Sequence, residues 1–351
     1  MPRKILHLDL DAFFCAVEEN RDPTLRGKAF AIGGRPDQRG VVASCSYAAR
    51  KYGVRSALPM AQAVRLLPDL IIRPADHSAY HTVSQQVMAQ LGALTPDVEQ
   101  ISIDEAFLDV SMLRDDAESI ARRLQAVINA ELKLPCSLGV ASNKLVAKIA
   151  NNIGKARAGK DSPPNAILII PPGEEATFLA PLPVGELWGV GPKTAAQLQR
   201  IGIRTIGDLA LRSASEMERR FGKHGTDMLR HAQGIDERPV QREDEAKSIS
   251  KETTFIQDVT DADQLKRVLR GLSDEVGRRL RREGLRGATV KIKLRWADFT
   301  TLTRQVKLPQ PTHHDNVIFE TAWGLLLKMW TAGRPVRLIG VGVSDFETTS
   351  V

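Results

Sequence analysis

The sequence predicts an α+β, multidomain chain in which the order β-α-β-β-α-β occurs twice. Three observations carry that expectation. Short runs alternate apolar and polar residues with a period of two, as half-buried strands do. Longer segments between them repeat apolar residues at helical spacing. The two sets of elements are separated by residues 174–236, which read as short helices only. The order is that of a ferredoxin-like, two-layer domain, with helices on one sheet face and the other face open.

Residues 5–11, ILHLDLD, alternate strictly, with Leu6, Leu8 and Leu10 to one side and His7, Asp9 and Asp11 to the other. Residues 78–93 are periodic as a helix. Val98–Ile103 and Ala106–Val110 predict a hairpin around Asp104 and Glu105, followed by a helix over 116–132 and a strand over Cys136–Ala141. Segment 12–73 then stands as an insertion after the first strand. In the second set, Ser250–Ile256 reads as a strand and Asp261–Glu283 as a long basic helix with acids at its start. Ala288–Trp296 and Phe299–Lys307 alternate as strands. Thr312 and Asp315, at capping-box spacing, open a helix running to Trp330, and Val336–Val343 closes the set. The polar segment 237–247 reads as a linker. The two sets share no convincing residue identity, so the repeat is one of architecture.

A chain of 351 residues is long enough for two or more domains, and 42% hydrophobic with 26% charged residues is ordinary for a soluble protein. Cys15, Cys45 and Cys136 are far apart and lack CxxC spacing, which argues against a disulfide framework or a zinc site and for a reducing, cytoplasmic setting. The start, MPRKILHLDLDAFF, reaches charged residues too soon for a signal-peptide core, and no run approaches the ~18 apolar residues of a membrane span. No membrane association is expected, and monomer is the default.

Lys and Arg number 49 against 42 Asp and Glu, a net +7. Residues 264–307 alone hold 13 against 4, a net +9, so the rest of the chain is slightly acidic. In the second set Lys291, Lys293 and Arg295 alternate with Val290, Ile292, Leu294 and Trp296; in the first, the polar face carries acids. One sheet is patterned to hold cations, the other an anion.

Phosphoryl and nucleotidyl transfer need positive charge on the reacting phosphate and an activated hydroxyl, and two divalent cations about 3.5–4 Å apart supply both. Mg²⁺ takes oxygen ligands, typically one or two carboxylates plus substrate phosphates. In the ferredoxin-like order the first and third strands are central neighbours, so Asp9 should converge with Asp104 and Glu105. For Asp11 alone a solvated strand face is the better reading. For the other three it is less attractive, because Asp is depleted in strands and clustered carboxylates repel without a cation. A nucleotide cyclase would show the same pattern. Phe13 and Phe14 would ordinarily be core. Ser44, Tyr47, Arg50 and Lys51, ahead of a helix stop at Gly53, suit either a triphosphate clamp or a helix with a charged outer face. Gly189–Gly191, followed by Lys193, suits backbone contact with a phosphate at a helix N-terminus, or an ordinary αα-turn.

The stretches HLDLDAFFCAVEE (7–19), SYAARKYGV (46–54), SIDEAFLDVS (102–111), LGVASNKLVAKIA (138–150), LWGVGPKTAAQLQRIGIRTIGDL (187–209), KSISKETTF (247–255) and RLIGVGVSDF (337–346) together resemble the Y-family DNA polymerases, specifically the DNA polymerase IV branch. They cover essentially the whole chain in order. The resemblance implies a palm over 1–11 and 74–172, fingers over 12–73, a helix-hairpin-helix thumb over 173–236, the linker over 237–247 and a little finger over 248–351. It implies two Mg²⁺ ions held by Asp9, Asp104, Glu105 and the Leu10 carbonyl, with Glu105 nearest the primer terminus and Asp11 no direct ligand. Phe14 would be the steric gate against a ribose 2′-OH. Phe13, Ser44, Tyr47 and Arg50 would hold the incoming deoxynucleoside triphosphate, and Ala43, Ser44 and Ala57 would leave room over the templating base. Primer-template DNA would be held by Gly189, Gly191 and Lys193, by Lys291, Lys293 and Arg295, and by the basic helix. Translesion synthesis, low fidelity and absence of proofreading follow by the same resemblance. A Lys-Pro-Asn-Gly-like turn usual after the LVAKIA helix is replaced here by NNIGKARAGKDSPPNAI (151–167), which leaves Lys155 as the best triphosphate lysine and Lys160 as the alternative. A sliding clamp is a further implied partner, although SDFETTSV carries no clear clamp-binding peptide. A cyclase needs no DNA grip, and a non-catalytic DNA-binding factor needs no intact acids; both alternatives fit the residues less well.

Overall fold

The chain divides at residue 243 into two units, and a computed structural model describes residues 2–159, 162–242 and 246–348 of them. In the first unit the elements run β1 (Ile5–Leu10), α1 (Phe13–Arg21), β2 (Phe30–Gly33), β3 (Val42–Cys45), α2 (Tyr47–Arg50), α3 (Met60–Leu66), β4 (Ile71–Arg73), α4 (His77–Leu94), β5 (Val98–Gln100), β6 (Glu105–Asp109), α5 (Ala117–Val127), β7 (Cys136–Ala141), α6 (Lys144–Arg157) and β8 (Ile167–Ile169). Five short helices follow: α7 (Glu175–Leu179), α8 (Pro192–Arg200), α9 (Ile206–Ala210), α10 (Ala214–Phe221) and α11 (Lys223–Ala232).

β1 is the middle strand of a sheet ordered β5-β6-β1-β7-β8 and runs antiparallel to both neighbours. The first and third strands of the predicted set are therefore adjacent, as expected. Leu6, Leu8 and Leu10 enter a core with Val87 and Leu91 of α4 and Ile120 and Leu124 of α5. Each fully buried leucine contributes about 1.5–3 kcal/mol. The ends of these helices are set by side-chain caps: Asp76 accepts from the Ala79 amide at 3.1 Å, and Asp116 from Ser119 at 2.8 Å.

The opposite sheet face is not open. The helix containing LVAKIA, α6, lies across it, so that Ile5 and Phe107 pack with Leu145, Val146 and Ile149. With α4 and α5 on one face of the sheet, α6 adds a third layer on the other, where a two-layer domain would be open. Gly139 on β7 makes this possible, because a Cβ there would stand 1.9 Å from the Ala147 carbonyl oxygen and 2.5 Å from the Asn151 nitrogen. The same core extends through Leu179, Leu198, Ile206 and Met217 of the short helices. Within the insertion, β3-β2-β4 form a small sheet packed by Val42, Cys45, Val54 and Met60, while α1 sends Phe13 and Val17 into the core of the first sheet.

The second unit comprises β9 (Ser248–Val259), α12 (Ala262–Arg282), β10 (Leu285–Trp296), β11 (Thr301–Thr312), α13 (Asp315–Leu327) and β12 (Val336–Thr348). The order along the chain is the predicted one, but the sheet is ordered β11-β10-β12-β9. Here the last strand lies between the first and second; in the first unit the first strand lies between the third and fourth. The two sheets are thus different topologies built from one element order. α12 buries Leu265, Leu269, Leu272, Val276 and Leu280, a stripe at helical spacing, against Val290, Ile292 and Leu294. The expected Thr312–Asp315 capping box does not form. Thr312 is the last residue of β11, His314 is the N-cap without a side-chain bond, and Asp315 pairs with Arg281 at 2.8 Å.

Candidate active site

The site begins where β1 ends. The Leu10 amide donates to the Asp104 carbonyl at 3.0 Å, which ties the strand end to the β5–β6 hairpin. Asp9 stands opposite Glu105 in the ladder. Ala12 then adopts a left-handed conformation, φ +49°, and turns the chain abruptly into α1, bringing Phe13 and Phe14 beside the acids.

α6 looks down on these groups through Lys144, Lys148, Asn151 and Lys155, spaced i, i+4, i+7 and i+11 on one helix face. Lys144 pairs with Glu99 at 2.6 Å, Lys148 with Glu105 at 2.7 Å, and Lys155 with Asp9 at 2.5 Å and Asp11 at 3.0 Å. Asn151 donates to the carbonyls of His7 and Ser137 at 3.1 and 3.0 Å. Of this stripe the sequence points only to Lys155, leaving Lys144, Lys148 and Asn151 unassigned. Its signal is the polar spacing inside an otherwise apolar helix.

Asp11 does not lie on a solvated face. It is 1% exposed, accepts from the Ser137 hydroxyl at 2.8 Å and the Asn165 amide at 3.0 Å, and holds Lys155. Burial of the strand's polar face by α6 is the physical reason. Lys155 borders the same cleft as Asp9, whereas Lys160 lies outside the described residues.

Asp9, Leu10 and Asp104 border a cleft of about 600 Å³. The Asp104 carboxylate accepts from the Ser102 hydroxyl at 2.6 Å, and Glu105 is turned toward Lys148. Among the described residues no three His, Cys, Asp or Glu side chains close into a metal cage. An open pair of carboxylates on a cleft that Leu10 also lines nonetheless fits a hard cation that completes its shell with substrate oxygens and water. Burial raises Asp9 to about 7, against the opposing pull of Lys155, with Glu105 adding to the rise.

His7, buried between Phe107 and Asn151, is held well below its ordinary value of 6.5, first by burial and then by Lys148. The unfolded chain therefore binds the extra proton near 6.5 while the folded chain resists it, so stability falls as pH drops below that value. Wild type should lose about 1.4 kcal/mol per pH unit from this residue. His7→Gln should show a shallower decline in urea melts between pH 7 and 5; parallel declines would remove His7 from the acid sensitivity.

Across the cleft, β3 and α2 supply Ser44, Tyr47 and Arg50. The Arg50 guanidinium sits 4.4 Å over the Tyr47 ring. Burial, followed by the Asp11 charge, pushes Tyr47 to about 12, so its phenol remains a neutral donor. Phe14 faces the cleft, its ring stacked on Tyr80 at 4.3 Å and 14°. Phe13 also borders it, but at 2% exposed its ring belongs to the core. Ala43 lines the cleft beside Ser44; Ala57, expected with them, does not, and it turns the chain with φ +67°.

Elsewhere in the first unit, Gly189 takes φ +96° and Gly191 caps α8, with Pro192 at its first position and Lys193 exposed at its second. In the second unit Lys291, Lys293 and Arg295 stand on the sheet face away from the core, with Lys291 and Lys293 opposite Gly342 and Gly340 in register. Lys293 pairs with Glu252 at 2.7 Å and Arg295 donates to Thr301 at 2.8 Å. The outer surface of α12 points the other way, so the basic helix and the basic strand lie on opposite sides of the second unit's sheet. Among the described residues no helix is long and apolar enough to cross a membrane.

Residues 8–152 match the impB/mucB/samB family, residues 172–203 the IMS family HHH motif, and residues 246–351 the impB/mucB/samB family C-terminal domain. The chain is 41% identical over 348 residues to the DNA polymerase IV of Dehalococcoides mccartyi (strain CBDB1), covering 98% of this chain and 87% of the relative. It is 42% identical over 350 residues to that of Methanoculleus marisnigri, covering 98% and 95%. A solved Y-family DNA polymerase chimera of Dbh and Dpo4 superposes with a TM-score of 0.87 at 26% identity, covering 98% of this chain and 99% of the chimera.

Proposed function

The chain belongs to the impB/mucB/samB family, the Y-family of template-directed DNA polymerases, and from that premise we propose that its acidic cleft adds deoxynucleotides to a primer 3′-OH by a two-metal route, at low fidelity and without proofreading. The observation that carries the proposal is that Asp9 and Asp104, 95 positions apart, border one cleft whose far wall bears Tyr47 and Arg50. Asp9, Asp104 and the Leu10 carbonyl are the groups to hold two Mg²⁺ ions, with Glu105 beside them toward the primer end. When bound, the ions neutralise the reacting phosphate and lower the pKa of the attacking hydroxyl. Arg50 offers a planar, bidentate donor to the triphosphate, Tyr47 a neutral hydroxyl, Ser44 a second hydroxyl and Lys155 a flexible ammonium.

Ala43 and Ser44 present little bulk to the cleft, which favours acceptance of distorted template bases during translesion synthesis. The Gly189–Gly191 turn and Lys193 grip duplex phosphates through the N-terminus of α8, and Lys291, Lys293 and Arg295 do so from the second unit. A cyclase has no use for either surface.

The test is primer extension with Mg²⁺. Wild type should add deoxynucleotides opposite a template and reject ribonucleotides; Phe14→Ala should raise ribonucleotide incorporation by roughly a hundredfold. No extension by wild type would overturn the function. Extension with unchanged rejection in the variant would move the gate elsewhere.

A further inference from the structure

The Phe14 ring is held by a device on its far side. Tyr80 of α4, fully buried, stacks on it at 4.3 Å with planes 14° apart, and His77 meets its edge at 5.9 Å. The Tyr80 hydroxyl donates to Glu18 at 3.0 Å, and Glu18 lies one helical turn beyond Phe14 on α1. Arg21 joins the same Glu18 oxygen at 2.9 Å and reaches Asp76 at 2.9 Å. Asp76 is the N-cap of α4, and its carbonyl accepts from the Tyr80 amide. The contacts close a loop from α1 to α4 and back, with the Phe14 ring as one wall. Burial pushes the Tyr80 phenol up to about 12, so the donor to Glu18 persists across working pH.

We propose that Tyr80, anchored by Glu18, is a positioning residue that fixes the plane of the Phe14 ring and thereby sets discrimination between deoxyribose and ribose. A flat partner at stacking distance restricts rotation of an aromatic ring about its χ2 torsion, and the phenol–carboxylate bond restricts the partner in turn. Without that backing the Phe14 ring can tilt and yield space to a 2′-OH. Tyr80 does not line the cleft, so its effect reaches substrate only through Phe14.

The proposal rests on Phe14 being the gate, and the experiment separates the two. Steady-state kcat and KM for a deoxynucleotide and the matching ribonucleotide are measured for wild type, Phe14→Ala, Tyr80→Leu, Tyr80→Phe and Glu18→Ala, each checked by melting temperature. Tyr80→Leu, which keeps bulk but loses the stacking face, should gain at least about tenfold in the ribonucleotide-to-deoxynucleotide ratio of kcat/KM. Tyr80→Phe and Glu18→Ala, which keep the ring and remove the anchor, should each gain a smaller, similar factor. Equal losses for both sugars, with the ratio unmoved, would mean a purely structural role and overturn the inference. Should Tyr80→Leu fail to fold, Tyr80→Phe decides: a wild-type ratio overturns the inference, a raised one supports it. If Phe14→Ala itself gains nothing, the gate assignment fails first.

Discussion

Asp104→Asn should reduce primer extension by about 10³-fold or more in kcat while leaving the fold and DNA affinity near those of wild type. The choice of Asp104 over Glu105 is physical. Glu105 neutralises Lys148, which is only 15% exposed, so removing Glu105 strands a buried cation and mixes damage with chemistry. Asp104 sits at the hairpin, where its side chain accepts from the Ser102 hydroxyl, and an amide oxygen can accept that bond equally well. Loss of the charge is then the main change. Extension, melting temperature and primer-template affinity are measured together. Activity within tenfold of wild type would remove the metal-binding assignment of this carboxylate, and a collapse in melting temperature would show that the hairpin needs the charge.

The acids at the strand ends are legible in the sequence because carboxylates are unfavourable in strands and conspicuous when alternation aligns them. Their convergence follows from strand order, which the β-α-β-β-α-β sequence specifies for the first sheet through the adjacency of its first and third strands. The second sheet shows the limit of that reasoning. The same element order folds to β11-β10-β12-β9, because strand order depends on which edges the returning chain can reach, and period-two alternation says nothing of that. Asp11 is misread for a related reason: alternation separates two faces of a strand without saying whether the polar one meets water or another helix. Here it meets α6, whose lysines balance the acids beneath them. Thr312 has the right spacing for a cap, yet β11 extends through it and holds it as a strand residue.

Charge reversal of the open sheet face should produce the largest change in DNA binding. Each neutralised phosphate contributes about 0.9 to the slope of log affinity against log salt, so Lys291→Glu, Lys293→Glu and Arg295→Glu together should flatten that slope by up to about 2.7. Affinity for primer-template at low salt should fall by several orders of magnitude, because three attractions become repulsions. The opposed basic surfaces of the second unit supply the control. Lys266, Arg267 and Arg278 are exposed on α12, on the other side of the sheet from Lys291. Reversing those three changes net charge by the same amount but leaves the open face intact. If the slope depends on overall charge, both triple variants flatten it equally, and the assignment of the sheet as the duplex surface fails. If it depends on contact, only the strand variant does so. Lys293 adds a check of its own, since it already neutralises Glu252; Lys291→Glu alone should therefore cost more affinity than Lys293→Glu alone, the second residue having less charge to offer a phosphate.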